Sequence, residues 1–188
     1  MNDVIFLRHF RTKIDKTLPV DQWGLDEEGT KAMENLLETY DFSGVRRILT
    51  SPEPKAKITG DSIARRYNIP VEELDDLKEV DRSAQGFIEG DYAAVVKRYF
   101  NENAPDIRWE PLSSVRQRIQ RAMDRVTAED GKVMVISHGM FMTLMLAPIF
   151  NKDLIDFWKD LGFGEVLNVD RSHISEVWND DDTDAGDD

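Results

Sequence analysis

No cysteine occurs among the 188 residues, so the sequence excludes a disulfide framework and any zinc site built on thiolates. Long hydrophobic runs are missing too, and none approaches the roughly 20 apolar residues that a membrane-spanning helix requires. The first residues, Met-Asn-Asp, lack the basic and apolar stretches of a secretory signal. We therefore expect a cytoplasmic protein without a membrane partner.

Positive charge is scarce, because 24 lysines and arginines stand against 37 aspartates and glutamates and leave a formal net charge of -13. Nucleic-acid binding needs a positive surface, so we expect no nucleic-acid partner. Part of the acidity is local, since six aspartates lie in residues 179–188, and we expect this tail to be disordered. The remaining residues, 1–178, are of a length that suits a single domain.

Basic residues nevertheless concentrate in one short stretch. Positions 8 to 16 carry one acid, Asp15, against four cations, namely Arg8, Arg11, Lys13 and Lys16. A positive patch on an otherwise negative protein attracts small anions. The stretch therefore indicates a site for a small phosphorylated substrate.

Short apolar runs alternate with helical patterns along the chain. The runs at 4–7 and 133–136 are continuous, as is typical of strands buried on both faces of a parallel sheet. The pattern predicts strands over 3–8, 45–50, 71–77 and 132–137, and helices over 26–40, 55–67, 92–100, 112–128, 139–150 and 153–161, with Asp26 capping the first. A hairpin of strands, 165–169 and 173–178, is predicted at the end. Together these elements favour a three-layer α/β/α sandwich with a mostly parallel central sheet.

Two of the three histidines follow directly after buried strands. Arg8 and His9 follow the first strand, and His138 follows the strand at 132–137. Ligand chemistry in open α/β sheets gathers at the carboxyl ends of the strands, so we expect these three residues at one rim. A neutral imidazole is a nucleophile, an arginine fork matches phosphate oxygens, and a second, protonated histidine would stabilise developing charge. The alternative for a single histidine is a structural role in the core, and for His173 we expect a structural or exposed position.

Several motifs, in order, resemble those of the histidine phosphatase, or phosphoglycerate-mutase-like, superfamily. Residues 7–12, Leu-Arg-His-Phe-Arg-Thr, resemble its Arg-His-Gly-x-Thr signature. Residues 50–59 resemble its Ser-Pro-x-x-Arg-Ala-x-x-Thr motif, and 137–139, Ser-His-Gly, its second histidine motif. Residues 77–81 resemble the segment with the acidic residue, and 25–29 the start of the first helix. The resemblance implies a phosphoglycerate-mutase-like fold.

The resemblance also implies roles for individual residues. His9 would be the nucleophile that forms a phosphohistidine, and Glu79 the proton donor, with Asp81 as the alternative acid. The phosphoryl group would be bound by Arg8, Thr12, Lys55 and His138. Further candidates for contacts with the substrate or with a lid formed by residues 80–110 are Phe10, Arg11, Arg82 and Gly139. The implied activity is a metal-independent phosphatase without a cofactor, acting on a small phosphorylated metabolite or a phosphoprotein.

Three positions depart from the family pattern. Phe10 replaces the glycine of the first motif, which would narrow the pocket or give it an apolar wall. Lys55 replaces an arginine and loses the bidentate fork. Asp15 stands where mutase-like members often have an asparagine, and its charge would repel phosphate unless it turned outward or paired with a lysine. These departures argue against a phosphoglycerate mutase and leave open a phosphate-binding or regulatory homologue that has lost turnover.

Overall fold

A computed structural model describes residues 3–85, 88–102 and 104–178. Its strands form one five-stranded sheet in the order β3-β2-β4-β1-β5. The bounds are β1 Asp3–Arg8, β2 Val45–Thr50, β3 Val71–Glu73, β4 Lys132–Ser137 and β5 Val166–Asp170. Strands β1 to β4 run parallel to one another, and β5 pairs with β1 in the antiparallel direction. The predicted α/β fold with a mostly parallel sheet is confirmed.

Helices cover both faces of the sheet and complete three layers. Their bounds are α1 Glu27–Thr39, α2 Pro54–Tyr67, α3 Tyr92–Phe100, α4 Leu112–Thr127, α5 Gly139–Leu146, α6 Leu154–Asp160 and α7 Arg171–Trp178. One apolar cluster joins α1 and α2 to the sheet, and a second joins the helices from α3 onward to its other face. No helix in the described part of the chain combines the length and apolar character that crossing a membrane requires.

The first strand illustrates why its apolar run is continuous. Val4 and Phe6 belong to the cluster beneath α3 to α7, whereas Ile5 and Leu7 belong to the cluster beneath α1 and α2. Successive side chains of a strand point to opposite faces, so a strand covered on both sides needs apolar residues throughout. The pairing with β4 sets Arg8 opposite Ser137, which brings the ends of the two strands together.

The predicted terminal hairpin is wrong, because residues 171–178 form helix α7 and not a strand. Ile174 and Trp178 are four residues apart and therefore share one helical face, which packs on the core. The Trp178 indole N–H donates to the carbonyl oxygen of Met145. Asp170 precedes the helix, and its carboxylate accepts from the N–H of Ser172 in the first turn.

Smaller differences concern the ends of elements. Helix α5 ends at Leu146 and not near 150, and β3 stops at Glu73, followed by a short 3-10 turn over Asp75–Leu77. The Asp26 cap is confirmed, since its carboxylate accepts from the Gly29 N–H. The acidic tail, residues 179–188, lies outside the described residues.

Glycine is required at position 29 in α1 because the backbone at Arg11 passes close to it, and not because its φ angle is unusual. A Cβ at this position would lie 2.1 Å from the carbonyl oxygen of Arg11. Replacing Gly29 by alanine is expected to lower the free energy of unfolding by about 1–3 kcal/mol, as other overpacking changes do, although alanine normally favours a helix. Urea unfolding measures the effect. Gly24→Ala is the matched control, because its Cβ would meet nothing closer than 4.0 Å; equal stability of the two variants would contradict the prediction.

Candidate active site

His9 lies at the end of β1 and is buried, with 5% of its surface exposed. Its Nδ1 lies 2.7 Å from the carbonyl oxygen of Phe10. A carbonyl oxygen only accepts, so Nδ1 carries the proton and donates it, and Nε2 keeps its lone pair. Burial lowers the pKa of His9 to about 3; the hydrogen bond to Phe10 opposes this, and the charges of Lys55 and Arg8 add to it. The ring is therefore neutral near pH 7.

His138 follows β4 and lies beside His9, with the ring centroids 5.0 Å apart. Its side chain is fully buried and does not itself line the cavity described below. Nε2 is 2.7 Å from the Ser51 Oγ, whereas Nδ1 has no hydrogen-bond partner among the described residues. Burial holds the pKa of His138 well below 6.5, and the nearby His9 and Lys55 contribute in the same direction.

Arg8 completes the group expected at the strand ends. Its Nη1 donates to the carbonyl oxygen of Leu161, and its Cζ lies 4.1 Å from the centroid of the Phe163 ring. The buried Nε has no hydrogen-bond partner in the described part of the chain. Gly139 packs closely against Arg8, since a Cβ on it would lie 3.0 Å from the Arg8 Cζ and would push the guanidinium aside. A fixed guanidinium with an unsatisfied N–H is suited to receive an anion.

Lys55, in the first turn of α2, is buried in an ion pair. Its Nζ donates to the carbonyl oxygen of Val20 at 2.9 Å and to the carboxylate of Glu53. Glu53 also accepts a 2.8 Å hydrogen bond from the Glu79 backbone N–H. Burial raises the pKa of Glu53, and the charge of Lys55 works against that rise. Two of the three Lys55 ammonium protons are thus used within the protein, and one is left for a ligand.

The Glu79 carboxylate is held at the N-terminus of α5. Oε1 accepts from the N–H groups of Phe141, at 2.9 Å, and Val80, at 3.0 Å, and Oε2 accepts from Met140 at 3.2 Å. A helix N-terminus offers such unpaired N–H groups to an anion. Asp81, the alternative acid, does not line the cavity that contains His9, and its carboxylate accepts from the Ser83 N–H.

Arg118 of α4 fixes the loop that carries Glu79. Its guanidinium donates to the carbonyl oxygens of Asp76, Lys78 and Glu79 at 2.8 to 3.3 Å. It also forms an ion pair with Glu110 at 2.7 Å. Arg118 is one of four arginines in α4 and is largely buried, with 14% of its side chain exposed.

A cavity of about 1020 Å³ lies above these groups. Among the candidates from the sequence, those that line it are Arg8, His9, Arg11, Thr12, Lys55, Glu79, Arg82 and Gly139. The expected lid segment contributes Arg82, Ile88, Glu89, Gly90 and Tyr92. The apolar part of the wall consists of Ile14, Val20, Trp23, Ile88, Met140, Trp158 and Phe163. The cavity therefore combines charged and polar groups, including Arg8, His9 and Lys55, with an apolar wall.

The rim of the cavity carries the basic residues of the 8–16 stretch. Arg11 forms ion pairs with Asp26 and Glu28, each at 2.5 Å. Lys16 pairs with Glu89 at 3.3 Å. These pairs offset part of the positive charge that the sequence concentrates there.

Two of the departures from the family pattern lie away from the cavity. The Phe10 ring is buried and does not line it, and a Cβ on Gly164 would lie 2.5 Å from that ring. Phe163 provides an apolar wall where Phe10 was expected to. The Asp15 carboxylate accepts from the N–H and hydroxyl of Thr17 at 2.9 and 2.6 Å and does not line the cavity either.

Sequence reasoning missed several residues of the site. Ser51 and Glu53 lie within the Ser-Pro-Glu-Pro-Lys motif, which was a usable signal. Phe163 lies between two glycines, a weaker signal for a loop that approaches other groups closely. Trp158 carries no local signal, because its apolar spacing on α6 resembles that of a core residue.

Comparisons with known proteins agree with this arrangement. The family model of the histidine phosphatase superfamily (branch 1) matches residues 4–174. No curated protein matches the sequence at a significant level. Among solved structures, YhfR of Bacillus stearothermophilus is similar with a TM-score of 0.73 and 20% identity, over 89% of this chain and 90% of that one. A phosphoserine phosphatase of Entamoeba histolytica in complex with 3-phosphoglyceric acid is similar with a TM-score of 0.68 and 18% identity, over 92% of each chain. The alpha-ribazole phosphatase of Shigella flexneri is similar with a TM-score of 0.69 and 16% identity, over 89% of this chain and 90% of that one.

Proposed function

Because the chain belongs to the histidine phosphatase superfamily (branch 1), we propose that it is a metal-independent phosphatase that hydrolyses phosphomonoesters through a phosphohistidine on His9. The observation that carries the proposal is the hydrogen bond from His9 Nδ1 to the Phe10 carbonyl oxygen. It leaves an unprotonated Nε2 on a neutral ring that lines the cavity. This tautomer supports the proposed role of His9, because a nucleophilic imidazole needs a free lone pair.

The proposed reaction has two steps. His9 Nε2 forms a bond to phosphorus while the bond between phosphorus and the leaving oxygen breaks, and protonated Glu79 gives that oxygen its proton. Water then attacks the phosphohistidine and gives a proton to Glu79, and the bond between phosphorus and nitrogen breaks. Phosphate leaves, and both His9 and Glu79 return to their starting states.

The groups around His9 are suited to hold the phosphoryl oxygens. Arg8 offers an Nε–H that has no partner among the described residues, and Lys55 offers its remaining ammonium proton. Thr12 lines the same cavity. His138 lies beside His9, although its side chain does not itself line the cavity, and its Nδ1 has no hydrogen-bond partner among the described residues. These contacts would stabilise the charge that develops on the transferring group.

We propose a small phosphorylated metabolite or a phosphoprotein as the substrate, with residues 1–178 as one domain and residues 80–110 as the lid over the cavity. The similar structures include a phosphatase in complex with 3-phosphoglyceric acid. The apolar wall around Trp158 and Phe163 also has room for an aromatic leaving group, which makes aryl phosphates suitable assay substrates. The acidic composition argues against a nucleic-acid partner.

A second candidate function is phosphate binding without turnover. It is favoured by the Lys55 ammonium group, which is committed to Glu53 and to the Val20 carbonyl oxygen and lacks the fork of an arginine. Under this alternative the site would bind inorganic phosphate but form no covalent intermediate.

Trapping the intermediate separates the two functions. The wild-type protein is mixed with an aryl phosphate carrying a labelled phosphoryl group and quenched in alkali, where phosphohistidine is stable. We expect label on the protein, and loss of that label in acid, together with release of phosphate during steady-state turnover. Binding of inorganic phosphate without label or turnover across a panel of phosphomonoesters would establish the second candidate instead.

A further inference from the structure

The cavity that contains His9 has buried polar groups at one end and large apolar side chains at the other, open end. His9 and Lys55 are 5% and 3% exposed, whereas Ile14 and Phe163, which line the same cavity, are 64% and 48% exposed. Large apolar side chains that are open to water around one cavity indicate a surface that an apolar ligand covers. Neither Ile14 nor Phe163 has a task in the proposed reaction.

Phe163 is held in place beside the reacting groups. Its ring centroid lies 5.6 Å from that of His9 and 4.1 Å from the Arg8 Cζ. The next residue, Gly164, donates its backbone N–H to the carbonyl oxygens of Arg8 and His9, at 3.1 and 3.3 Å. Its other side is closed by the Phe10 ring, because a Cβ on Gly164 would lie 2.5 Å from that ring. The exposed face of Phe163 is therefore a preformed wall next to the site of reaction.

The apolar wall continues beyond Ile14 and Phe163. Its other members are Val20, Trp23, Ile88, Met140 and Trp158. The Trp158 ring lies 6.0 Å, between centroids, from that of Tyr92, which also lines the cavity. A volume of about 1020 Å³ holds far more than a phosphoryl group. The part of a substrate that remains to contact this wall is the leaving group.

Charged residues also line the cavity away from the phosphoryl site, and most of them are paired with one another. They are Arg11, Lys13, Lys16, Asp26, Arg82 and Glu89. The ion pairs of Arg11 and Lys16 described above occupy four of these six. Arg82 donates to the Tyr92 hydroxyl, and Lys13 is exposed, so water and salt screen its charge. The open end is therefore better suited to an uncharged apolar group than to a second anionic group.

We propose that the substrates are phosphomonoesters of uncharged, apolar alcohols, and that Phe163 and Ile14 are specificity-determining residues that bind the leaving group. The inference rests on the proposed function, because it concerns the same site. In an in-line displacement the leaving oxygen lies opposite the attacking nitrogen across phosphorus. Since His9 attacks from the buried end, the leaving group extends toward the open end, where the apolar side chains lie.

A series of n-alkyl phosphates from ethyl to hexyl tests the proposed substrate class. Their leaving groups are primary alcohols of nearly equal acidity, so differences in kcat/KM report binding of the chain rather than the chemistry. A fully buried methylene is worth about fourfold, and about twofold is expected in a cavity that is partly open. We expect kcat/KM to rise at least about tenfold from ethyl to hexyl phosphate. A flat series would overturn the inference.

Substitutions in the wall should flatten the same series. Phe163→Ala and Ile14→Ala are each expected to lower the ratio of kcat/KM for hexyl over ethyl phosphate by about threefold or more. The ratio is the readout, because Phe163 also contacts Arg8 and its loss changes the rate for every substrate. The matched controls are Phe150→Ala and Ile58→Ala, whose side chains are 39% and 40% exposed outside the cavity. They should leave the ratio unchanged, and equal effects of wall and control variants would contradict the assignment.

A pair of substrates of equal shape tests the preference against a second charge. Isobutyl phosphate and phosphoglycolate differ in that two methyl groups of the first replace the carboxylate oxygens of the second. We expect the wild-type protein to favour isobutyl phosphate by about tenfold in kcat/KM. A preference for phosphoglycolate that Arg82→Gln abolished would assign Arg82 to a second anionic group and overturn the inference.

Binding of alkylphosphonates separates failure of this inference from failure of the proposed function. Their bond between carbon and phosphorus is not hydrolysed, so titration calorimetry measures the apolar site without turnover. The Kd should fall about twofold for each added methylene from methyl- to pentylphosphonate. A Kd independent of chain length would overturn the inference even in an active enzyme. Absence of turnover of every ester would overturn the proposed function, and with it the assignment of the bound chain as a leaving group.

Discussion

Replacing His9 by alanine is expected to reduce kcat for aryl phosphate hydrolysis by a factor on the order of a thousand or more, since the nucleophile of a two-step reaction is lost. Labelled phosphoenzyme should disappear as well. Binding of inorganic phosphate should remain, because Arg8 and Lys55 are untouched. The measurement is steady-state hydrolysis of p-nitrophenyl phosphate together with the trapping experiment.

His173→Ala is the matched control for this experiment. His173 is an exposed residue of α7, and it is the one histidine of the three in the chain that lies outside the candidate site. We expect its replacement to leave kcat within about twofold of the wild type, as for surface substitutions generally. A His9→Ala protein that kept a tenth or more of the activity, or that still formed alkali-stable phosphoprotein, would remove His9 from the role of nucleophile.

The sequence could predict those site residues that lie in short motifs at the ends of strands. Arg8, His9 and His138 follow continuous apolar runs, and two parallel buried strands bring their carboxyl ends to one rim. The alternation of strands and helices predicted the three layers, because helices that connect parallel strands cover the faces of the sheet. The segment predicted wrongly, 173–178, is short, and its apolar pattern is compatible with both a strand and a helix. The packing of Ile174 and Trp178 on the core favours the helix.

The parts that escaped prediction depend on contacts between distant segments. Lys55 reads as a free phosphate ligand in the sequence, but burial pairs it with Glu53 and the Val20 carbonyl oxygen. Arg118 is one of four arginines in α4 and no sequence feature sets it apart, yet it binds the carbonyl oxygens of the loop at 76–79. Charge type and spacing do not reveal which polar groups burial brings together, so these roles required the fold.

Acid is expected to destabilise the protein through its two buried neutral histidines. In the unfolded chain a histidine takes up a proton near pH 6.5. In the folded protein burial lowers the pKa of His9 to about 3 and holds that of His138 well below 6.5. Below pH 6.5 the unfolded state therefore binds more protons, and the free energy of unfolding falls as the pH is lowered. Well below pH 6.5, a histidine that stays neutral in the folded protein costs about 1.4 kcal/mol per pH unit, so His9 alone removes about 2 kcal/mol between pH 7 and pH 5, and His138 acts in the same direction.

Urea unfolding at several pH values from 7 to 5 measures this loss. Burial raises the pKa of Glu53, so this residue stabilises the folded protein as the pH falls and opposes the effect of the histidines. The difference between a histidine variant and the wild type therefore measures the contribution of that histidine more directly than the wild-type curve does. His9→Asn should remove about 2 kcal/mol of the pH dependence, because asparagine can donate to the Phe10 carbonyl oxygen but does not titrate. The exposed His173 is the control, and His173→Asn should leave the slope unchanged. If His9→Asn and the wild type lost stability in parallel, the pKa of His9 would be the same in the folded and the unfolded protein, which would contradict the lowered pKa of the buried ring.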